Sequence, residues 1–321
     1  MLTAPPLPAS IVPSALTDPR IADAIMILLS SLSARSRPVY IRYWTWWSVW
    51  ARSRSIPILA ARPRDVVLYI EELRKEGYKR ASYGVVLTVI RSVYRALVVN
   101  GLIDANPAIQ VRPAGRATTQ WTPVLSEAQI RAIVRVTKGW RTALFHGQLR
   151  PHFYGARDCL TILLLLGLGL RVSEIVAIRI EDLTTTVDGR PALKVLAKGG
   201  KPGAVSIPTW LQTHIQWWRS AFDLQSGPLL PRYPKAVAPM TKDMARAAIK
   251  RAAEEAGVPK ELATPHAIRR AYVTITGQRG VSLEDRQHAV LHSRSSTTAK
   301  YDKAIKGLGK PPGDVLEDLV K

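Results

Sequence analysis

The chain has 321 residues, and its 46 Lys and Arg against 24 Asp and Glu give a formal net charge of +22. A globular chain this basic is expected to bind a polyanion; nucleic acid is the commonest one, ahead of an anionic membrane surface or a ribosome-like assembly. Its single cysteine, Cys159, excludes an intrachain disulfide and a cysteine-cluster metal site. The most apolar run, residues 159–170, is too short to span a bilayer. The composition favours a soluble, intracellular protein that meets nucleic acid.

The first third of the chain predicts a bundle of about four helices behind an N-terminal arm rich in Pro and Ser. Apolar residues recur at helical spacing from about residue 16 to residue 108. Four tryptophans share one helix, and their spacing favours core packing over stacking on bases: Trp44, Trp46, Trp47 and Trp50.

Residues 106–123, NPAIQVRPAGRATTQWTP, interrupt this periodicity with three prolines and a glycine. Because 321 residues exceed what one hydrophobic core usually serves, two domains are expected. We place the arm and helical domain at residues 1–110, a basic linker at 111–122, and a second domain with a C-terminal tail helix at 123–321.

The second domain predicts further helices around one small antiparallel sheet. Ser126 can cap a helix over LSEAQIRAIVRVT, and three short β-rich runs between residues 183 and 207 are separated by the turn sequences DGR and KGGKPG. Residues 138–155 are predicted to be irregular, and His146 and His152 are interpreted as loop residues because they lack a third metal ligand. The fold class is therefore mainly α with a small antiparallel sheet (α+β).

Three segments of the second domain carry candidate functional residues. Arg171 and Glu174 lie in GLGLRVSEIVAIR, where an apolar helix ends in a glycine-flanked turn. In ATPHAIRRAYVT, Thr264 and Pro265 predict a helix start, and His266 and Arg269 follow on one face of that helix. This segment is either a phosphate-binding site at the helix N-terminus or a first turn exposed to solvent. Lys198 and Lys201 lie at a predicted hairpin tip, and His292 and Tyr301 bracket the polar run HSRSSTTAKY.

In chain order, GLRVSEI, TPHAIRRAY and LHSRSSTTAKY resemble the three boxes of the tyrosine recombinase family, which includes phage integrases and dimer-resolving recombinases. The KGGK hairpin between the first two boxes and the helical region ending in NP also resemble that family. The resemblance covers about residues 34–305. The chain departs from the family pattern at Leu291, where glycine is usual, at Arg270, where histidine is commoner, and in the longer stretch 138–157.

The resemblance implies a core-binding domain and a DNA breaking–rejoining catalytic domain that form a clamp on DNA. It implies attack of a tyrosine on a DNA phosphodiester, giving a 3′-phosphotyrosine and a free 5′-hydroxyl, with resealing by a partner 5′-hydroxyl without ATP. No metal and no cofactor are expected. The implied catalytic residues are Arg171 and Arg269 on the non-bridging oxygens, His292 donating to them, His266 as acid/base, Lys198 protonating the 5′ oxygen and Tyr301 as nucleophile, with Glu174 positioning its neighbours.

Tyr301 is preferred as nucleophile over Tyr272, whose place on the Arg269 helix among apolar neighbours favours packing. Other basic residues are expected to track phosphates without reading sequence. They are Arg35, Arg42, Arg52, Arg54, Lys79, Arg80, Arg112, Arg116, Lys201, Arg270 and Arg294.

The expected partner is double-stranded DNA with paired recombination sites, bound by a homotetramer in the cytoplasm at the nucleoid. No membrane is expected as a partner. The terminal segment DVLEDLV is expected either to be exchanged between protomers or to pack on its own domain. Two alternatives stay open: a type IB topoisomerase that relaxes DNA as a monomer, and a DNA-binding regulator without chemistry.

Overall fold

The computed structural model describes residues 18–34, 36–112, 123–145, 147–186, 189–197, 201–290 and 311–321. Two compact units make up the chain, residues 1–119 and 120–321. The predicted arm and most of the predicted linker lie outside the described residues, and the domain boundaries at 110 and 122 stay predictions. Six candidate site residues also lie outside the described residues: Arg35, Arg116, Lys198, His292, Arg294 and Tyr301.

The N-terminal unit contains the predicted bundle of helices. Its first three helices each have a proline in the first turn, where the missing N–H costs no intrahelical hydrogen bond. A 3₁₀ turn, Ile58–Ala60, precedes the third helix. The helices are α1 (Pro19–Ser30), α2 (Arg37–Ser53), α3 (Pro63–Lys75) and α4 (Arg80–Val99).

Two of the four tryptophans, Trp44 and Trp47, lie buried in the core of this bundle as their spacing predicts, whereas Trp46 and Trp50 are half-buried. Trp47 is fully buried, and its Nε1 donates to the Tyr94 hydroxyl at 3.1 Å, which in turn donates to the Ile58 carbonyl at 3.1 Å. Trp44 is also buried. α4 is long and apolar enough to cross a membrane, a property that core helices share, and eight of its residues are buried within the unit.

One helix, α6, organises the C-terminal unit. Fifteen of its 16 residues are buried, and it packs against five other α-helices of the described chain, which explains the apolar run in the sequence. Cys159 lies on α6, where burial raises the pKa of its thiol to about 11. The helices are α5 (Glu127–Gly139), α6 (Phe153–Leu168), α7 (Val172–Ile175), α8 (Thr209–Ala221), α9 (Lys242–Glu255), α10 (Pro265–Gln278), α11 (Leu283–Ala289) and α12 (Glu317–Val320).

Two antiparallel sheets belong to this unit. The first is a hairpin of β1 (Thr142–Phe145) and β2 (Gln148–Pro151). The second has the order β3 (Leu183–Thr185), β4 (Pro191–Ala197) and β5 (Lys201–Ser206) and is the predicted sheet. Leu193 of β4 pairs with Val205 of β5, and both are buried against the helical core.

The β1–β2 hairpin corrects the prediction that residues 138–155 are irregular. All eight strand residues are exposed, so no alternation of buried and exposed positions marks the strands. Gly147 at the turn has φ +76°, which glycine adopts without strain. His152 caps α6: its Nδ1 accepts from the Gly155 N–H at 3.3 Å. His146 lies outside the described residues.

The C-terminal segment packs on its own unit. A 3₁₀ turn, Pro312–Leu316, leads into α12, and the apolar residues of both join the core beside α5, α6 and α10. Trp210 Nε1 donates to the Gly313 carbonyl at 3.0 Å. Asp318 binds Arg131 Nη2 at 2.6 Å and also binds Arg279. Of the two predicted placements, the structure therefore has the one within the protomer.

Candidate active site

The turn after α6 places Arg171 at the start of the next helix. Gly169 has φ +60°, and a Cβ at this position would lie 2.3 Å from Cδ1 of Tyr272. Only glycine satisfies both the left-handed backbone and this close approach. The chain turns here, and Arg171 becomes the N-cap of α7.

Glu174 connects the two predicted arginines. Its Oε2 accepts the Arg171 backbone N–H at 2.7 Å, and its Oε1 accepts Arg171 Nη1 at 2.8 Å. The same carboxylate lies 3.8 Å from Arg269 Nη1. The Glu174 side chain is only 5% exposed, so the two guanidinium groups compensate a buried negative charge. This geometry agrees with a positioning role for Glu174.

Arg269 is buried and bound to the backbone at two distant points. Its Nη1 donates to the Gly169 carbonyl at 2.8 Å and its Nη2 to the Val290 carbonyl at 2.7 Å. The side chain is 7% exposed, whereas that of Arg171 is 32% exposed. Burial, and then the nearby charge of Arg171, lower the pKa of Arg269 to about 10, so it remains a cation at neutral pH.

His266 and Arg269 share α10 but differ in environment. The Thr264 hydroxyl accepts from the Ala267 N–H at 3.1 Å and caps the helix as predicted, with Pro265 in the first turn. His266 in this turn is exposed to solvent. Arg270 is half-buried, and its Nη2 donates to the Pro123 carbonyl at 3.2 Å.

The structure therefore brings together Arg171, Glu174 and Arg269, and places His266 one turn before Arg269. Lys198, His292 and Tyr301 lie outside the described residues. Tyr272, the other candidate tyrosine on this helix, is fully buried, and burial raises the pKa of its phenol.

Most of the predicted phosphate contacts that the structure describes are exposed: Arg42, Arg52, Arg54, Lys79 and Arg112, whereas Arg80 and Arg270 are half-buried. Lys201 begins β5 opposite Ala197. The charge of Arg54 is already paired, since its Nη2 donates to both carboxylate oxygens of Glu72 at 2.7 Å, and its Cζ lies 4.4 Å from the Trp50 ring centroid.

Sequence reasoning missed two supports of the site. Gly169 was one of two glycines in GLGL, and the positive φ distinguishes it from Gly167. The Val290 carbonyl gives no sequence signal, because a backbone acceptor is the same at every position. Both groups hold Arg269, so the position of the second arginine depends on them.

The described part of the site is suited to an anion. Two guanidinium groups share one carboxylate, which leaves excess positive charge, and Arg171 retains access to solvent. Forked N–H donors bind phosphate oxygens and stabilise charge that develops on them.

The chain is similar in sequence to known proteins. The sequence profile of the Phage integrase family matches residues 124–306. The chain is 29% identical to "Tyrosine recombinase XerC" of Mesorhizobium japonicum over 243 residues, which cover 75% of this chain and 73% of that protein.

Two solved structures are similar in fold. One is XerH site-specific recombinase bound to a palindromic difH substrate in a post-cleavage complex, with TM-score 0.65, 14% identity, and coverage of 95% of this chain and 89% of that chain. The other is a lambda integrase tetramer bound to a Holliday junction, with TM-score 0.62, 16% identity, and coverage of 87% and 78%.

Proposed function

This chain belongs to the phage integrase family and is a tyrosine site-specific recombinase, and we propose that Tyr301 carries out its DNA strand cleavage. The phenolic oxygen attacks the phosphorus atom, and the bond to the 5′ oxygen breaks. The strand is then held as a 3′-phosphotyrosine, and the 5′ oxygen leaves as a hydroxyl. A 5′-hydroxyl of the partner strand reverses the step without ATP, because the phosphodiester bond is conserved.

One observation carries the assignment of the site: Glu174 holds Arg171 at 2.8 Å and lies 3.8 Å from Arg269. Two permanently charged groups are thereby kept side by side despite their repulsion. Such a pair stabilises the non-bridging oxygens of a five-coordinate phosphorus, where negative charge increases in the transition state. An electrostatic contribution of this kind is worth on the order of 10²–10³ in rate for one donor.

The remaining roles follow from the chemistry of each group. His292 donates to the non-bridging oxygens beside the arginines. His266, exposed at the start of α10, exchanges a proton with the nucleophile, a general acid–base role for which imidazole is the commonest side chain. Lys198 protonates the departing 5′ oxygen.

Assembly of several copies on DNA follows from the reaction, because two duplexes need four strand breaks. The lambda integrase structure on a Holliday junction is a tetramer, and a tetramer on paired sites is the proposed active state of this chain. On that assembly, the C-terminal segment is proposed to leave the core of its own unit and dock on a neighbouring protomer. A cytoplasmic, nucleoid-associated location follows from the substrate.

Covalent trapping tests the proposed nucleophile. The protein is incubated with a library of nicked fragments from its own replicon, denatured, and examined for DNA-linked protein. Tyr301→Phe is run beside the wild type, with Tyr154→Phe, an exposed tyrosine at the far end of α6, as the matched control.

An adduct from the wild type and from Tyr154→Phe, but not from Tyr301→Phe, is the expected result. An adduct that persists in Tyr301→Phe would identify a different nucleophile. Binding of DNA by every variant without any adduct would instead identify a DNA-binding regulator. Relaxation of any supercoiled plasmid by the monomer, without sequence dependence, would identify a topoisomerase.

A further inference from the structure

A single arginine joins α10 and α11, the two helices that precede the third box. Arg286 Nη1 donates to the Val273 carbonyl of α10 at 3.1 Å. Its Nε donates to the Val281 and Ser282 carbonyls, in the turn between the helices, at 3.1 and 3.3 Å. The guanidinium of Arg286 therefore connects α10 to the turn from which α11 starts.

Gly277, in the last turn of α10, leaves the space that this guanidinium occupies. A Cβ at this position would lie 2.6 Å from Arg286 Nη1 and 2.8 Å from its Cζ. Gly277 has no positive φ and lies inside the helix, so its backbone conformation does not require glycine. The close approach of Arg286 does, because a side chain at Gly277 would displace the guanidinium from the Val273 carbonyl.

The helix that Arg286 holds has little apolar packing at its N-terminal end. α11 has seven residues, too few for a helix that is stable without tertiary contacts. Its apolar packing lies at the other end, where Ala289 is half-buried and Val290, just after the helix, is buried. Before that end, Arg286 is half-buried and its neighbours are exposed: Leu283, Glu284, Asp285 and Gln287. The hydrogen bonds of Arg286 therefore fix this end of α11 on α10.

The C-terminal end of α11 leads to a catalytic arginine. The Val290 N–H donates to the Arg286 carbonyl at 3.1 Å, and the Val290 carbonyl accepts Arg269 Nη2 at 2.7 Å. The third box starts with the next residue, Leu291. A displacement of α11 would therefore move both the acceptor of Arg269 and the point where the third box begins.

We propose that Arg286 is a positioning residue for strand cleavage, which holds α11 on α10 so that the Val290 carbonyl meets Arg269. It acts through Val290 and does not contact the phosphate itself, because its Nε and Nη1 already donate to carbonyls. The inference rests on the proposed function, which gives Arg269 and the third box their roles in the reaction. It adds a residue outside the three boxes on which the geometry of the site depends.

Three substitutions perturb this contact in different ways. Arg286→Ala removes the side chain, Arg286→Lys keeps its charge, and Gly277→Ala keeps the arginine but fills the space of its guanidinium. Two controls match them: Arg135→Ala removes an exposed arginine of α5, and Gly139→Ala changes a glycine in the last turn of α5 where a Cβ meets no atom within 4 Å. Adduct formation at saturating DNA, DNA affinity and thermal unfolding are measured, with the DNA fragment recovered by covalent trapping.

Arg286→Ala is expected to lower the rate of adduct formation at saturating DNA by about 10- to 100-fold, the effect of a small displacement of catalytic groups. DNA affinity should change little, since the lost guanidinium binds carbonyls of the chain. Arg286→Lys should resemble Arg286→Ala, because one ammonium group cannot reproduce the forked contact with α10 and the turn. A wild-type rate in Arg286→Lys would overturn the proposal, since charge alone would then suffice.

Gly277→Ala separates positioning from stability. It should lower the rate as Arg286→Ala does, while its unfolding midpoint stays close to that of the wild type, because the higher helix propensity of alanine offsets the hydrogen bonds that Arg286 loses. Gly139→Ala and Arg135→Ala should keep the wild-type rate. A wild-type rate in Gly277→Ala would overturn the proposal. So would rates that follow the unfolding midpoints across all the variants, which a purely structural role predicts.

Hydrogen exchange of the backbone amides of residues 283–290, measured without DNA, gives a readout that does not depend on cleavage. Exchange is expected to be faster in Arg286→Ala and Gly277→Ala than in the wild type and the controls. Unchanged exchange would overturn the hold of Arg286 on α11, and faster exchange with a wild-type rate would overturn its link to the site. Absence of any adduct from the wild-type chain would instead reject the proposed strand cleavage, and with it the role of Arg286 in the reaction.

Discussion

Arg171 and Arg269 carry the same charge but are held in different ways. Arg171 is partly exposed and is fixed through Glu174, whereas Arg269 is buried and donates to two backbone carbonyls. Removal of either guanidinium leaves the buried Glu174 carboxylate with one cation fewer. Removal of Arg269 also leaves the Gly169 and Val290 carbonyls without their donor.

Substitution of the two arginines by alanine is therefore expected to separate catalysis from stability. Arg171→Ala should lower the rate of covalent adduct formation by about 10²–10³. It should lower the free energy of unfolding by about 1 kcal/mol, because Glu174 loses one hydrogen-bonded cation and keeps its contact with Arg269. Arg269→Ala should lower the rate at least as much and also lower the free energy of unfolding by about 3 kcal/mol. Single-turnover cleavage and urea unfolding measure the two effects, and equal unfolding midpoints for both variants would contradict the assigned difference.

At the level of single residues, the sequence predicts which side chains belong to the site better than it predicts their burial and their hydrogen-bond partners. The first two boxes indicate Arg171, Glu174 and Arg269, and the caps at Ser126 and Thr264 are confirmed. The burial of Arg269 was not predicted, because its two carbonyl partners lie 100 and 21 positions away and backbone acceptors carry no sequence signal.

The turn between α6 and α7 is the element on which the site depends. Gly169→Ala places a methyl group against the Tyr272 ring in a left-handed backbone. It is expected to lower the free energy of unfolding by about 1–3 kcal/mol. It should also lower the rate of adduct formation, since Arg171 follows two residues later. Gly139→Ala, where a Cβ meets no atom within 4 Å, is the control. Thermal unfolding and adduct formation are the measurements, and matching losses in both variants would refute the argument.

The C-terminal element is held by a pH-sensitive contact. Hydrogen bonding to Arg279 lowers the pKa of Asp318 to about 2, from an ordinary value of 3.8. A carboxyl with a lowered pKa stabilises the folded state above its unfolded pKa, and the stabilisation is lost as pH falls towards the folded pKa. The difference in unfolding free energy between wild type and Asp318→Asn should thus be constant above pH 5 and should decrease steeply between about pH 4 and pH 2. Urea unfolding across this range tests it, and a difference at pH 2 as large as that at neutral pH would contradict it.

Among elements, those with a buried face were predicted, whereas the exposed β1–β2 hairpin and the mostly exposed helix α11 were not. The helices and the β3–β5 sheet follow from apolar periodicity, which burial imposes on the sequence. The β1–β2 hairpin has no buried face, so its residues obey no such pattern. An exposed hairpin can be recognised from sequence only by its turn, and a single glycine is a weak signal.

For the whole molecule, the excess of basic residues determines how it binds DNA. Each phosphate neutralised by Lys or Arg contributes about −0.9 to the slope of log affinity against log salt. Arg42 is exposed in the first half of α2, whereas Arg54, at the C-terminal end of this helix, is already paired with Glu72. The charge of Arg54 is therefore less available to phosphate.

Salt titration of a matched pair of variants checks this distinction. Arg42→Gln is expected to make the slope shallower by about one phosphate contact. Arg54→Gln is expected to leave the slope nearly unchanged. Fluorescence anisotropy with one labelled duplex, measured from low to moderate salt, gives both values. A larger change for Arg54→Gln than for Arg42→Gln would show that phosphate displaces Glu72.

The two carbonyl contacts of Arg269 also determine which arginine can be replaced by a small molecule. Guanidinium ion added to Arg171→Ala can enter the partly exposed space beside Glu174 and supply the missing charge. In Arg269→Ala the same ion would have to fill a buried volume and bind Gly169 and Val290 at once, without a side chain to orient it. Chemical complementation should therefore restore cleavage in the first variant and not in the second. Arg269 joins the Gly169 and Val290 segments by hydrogen bonds in addition to supplying positive charge.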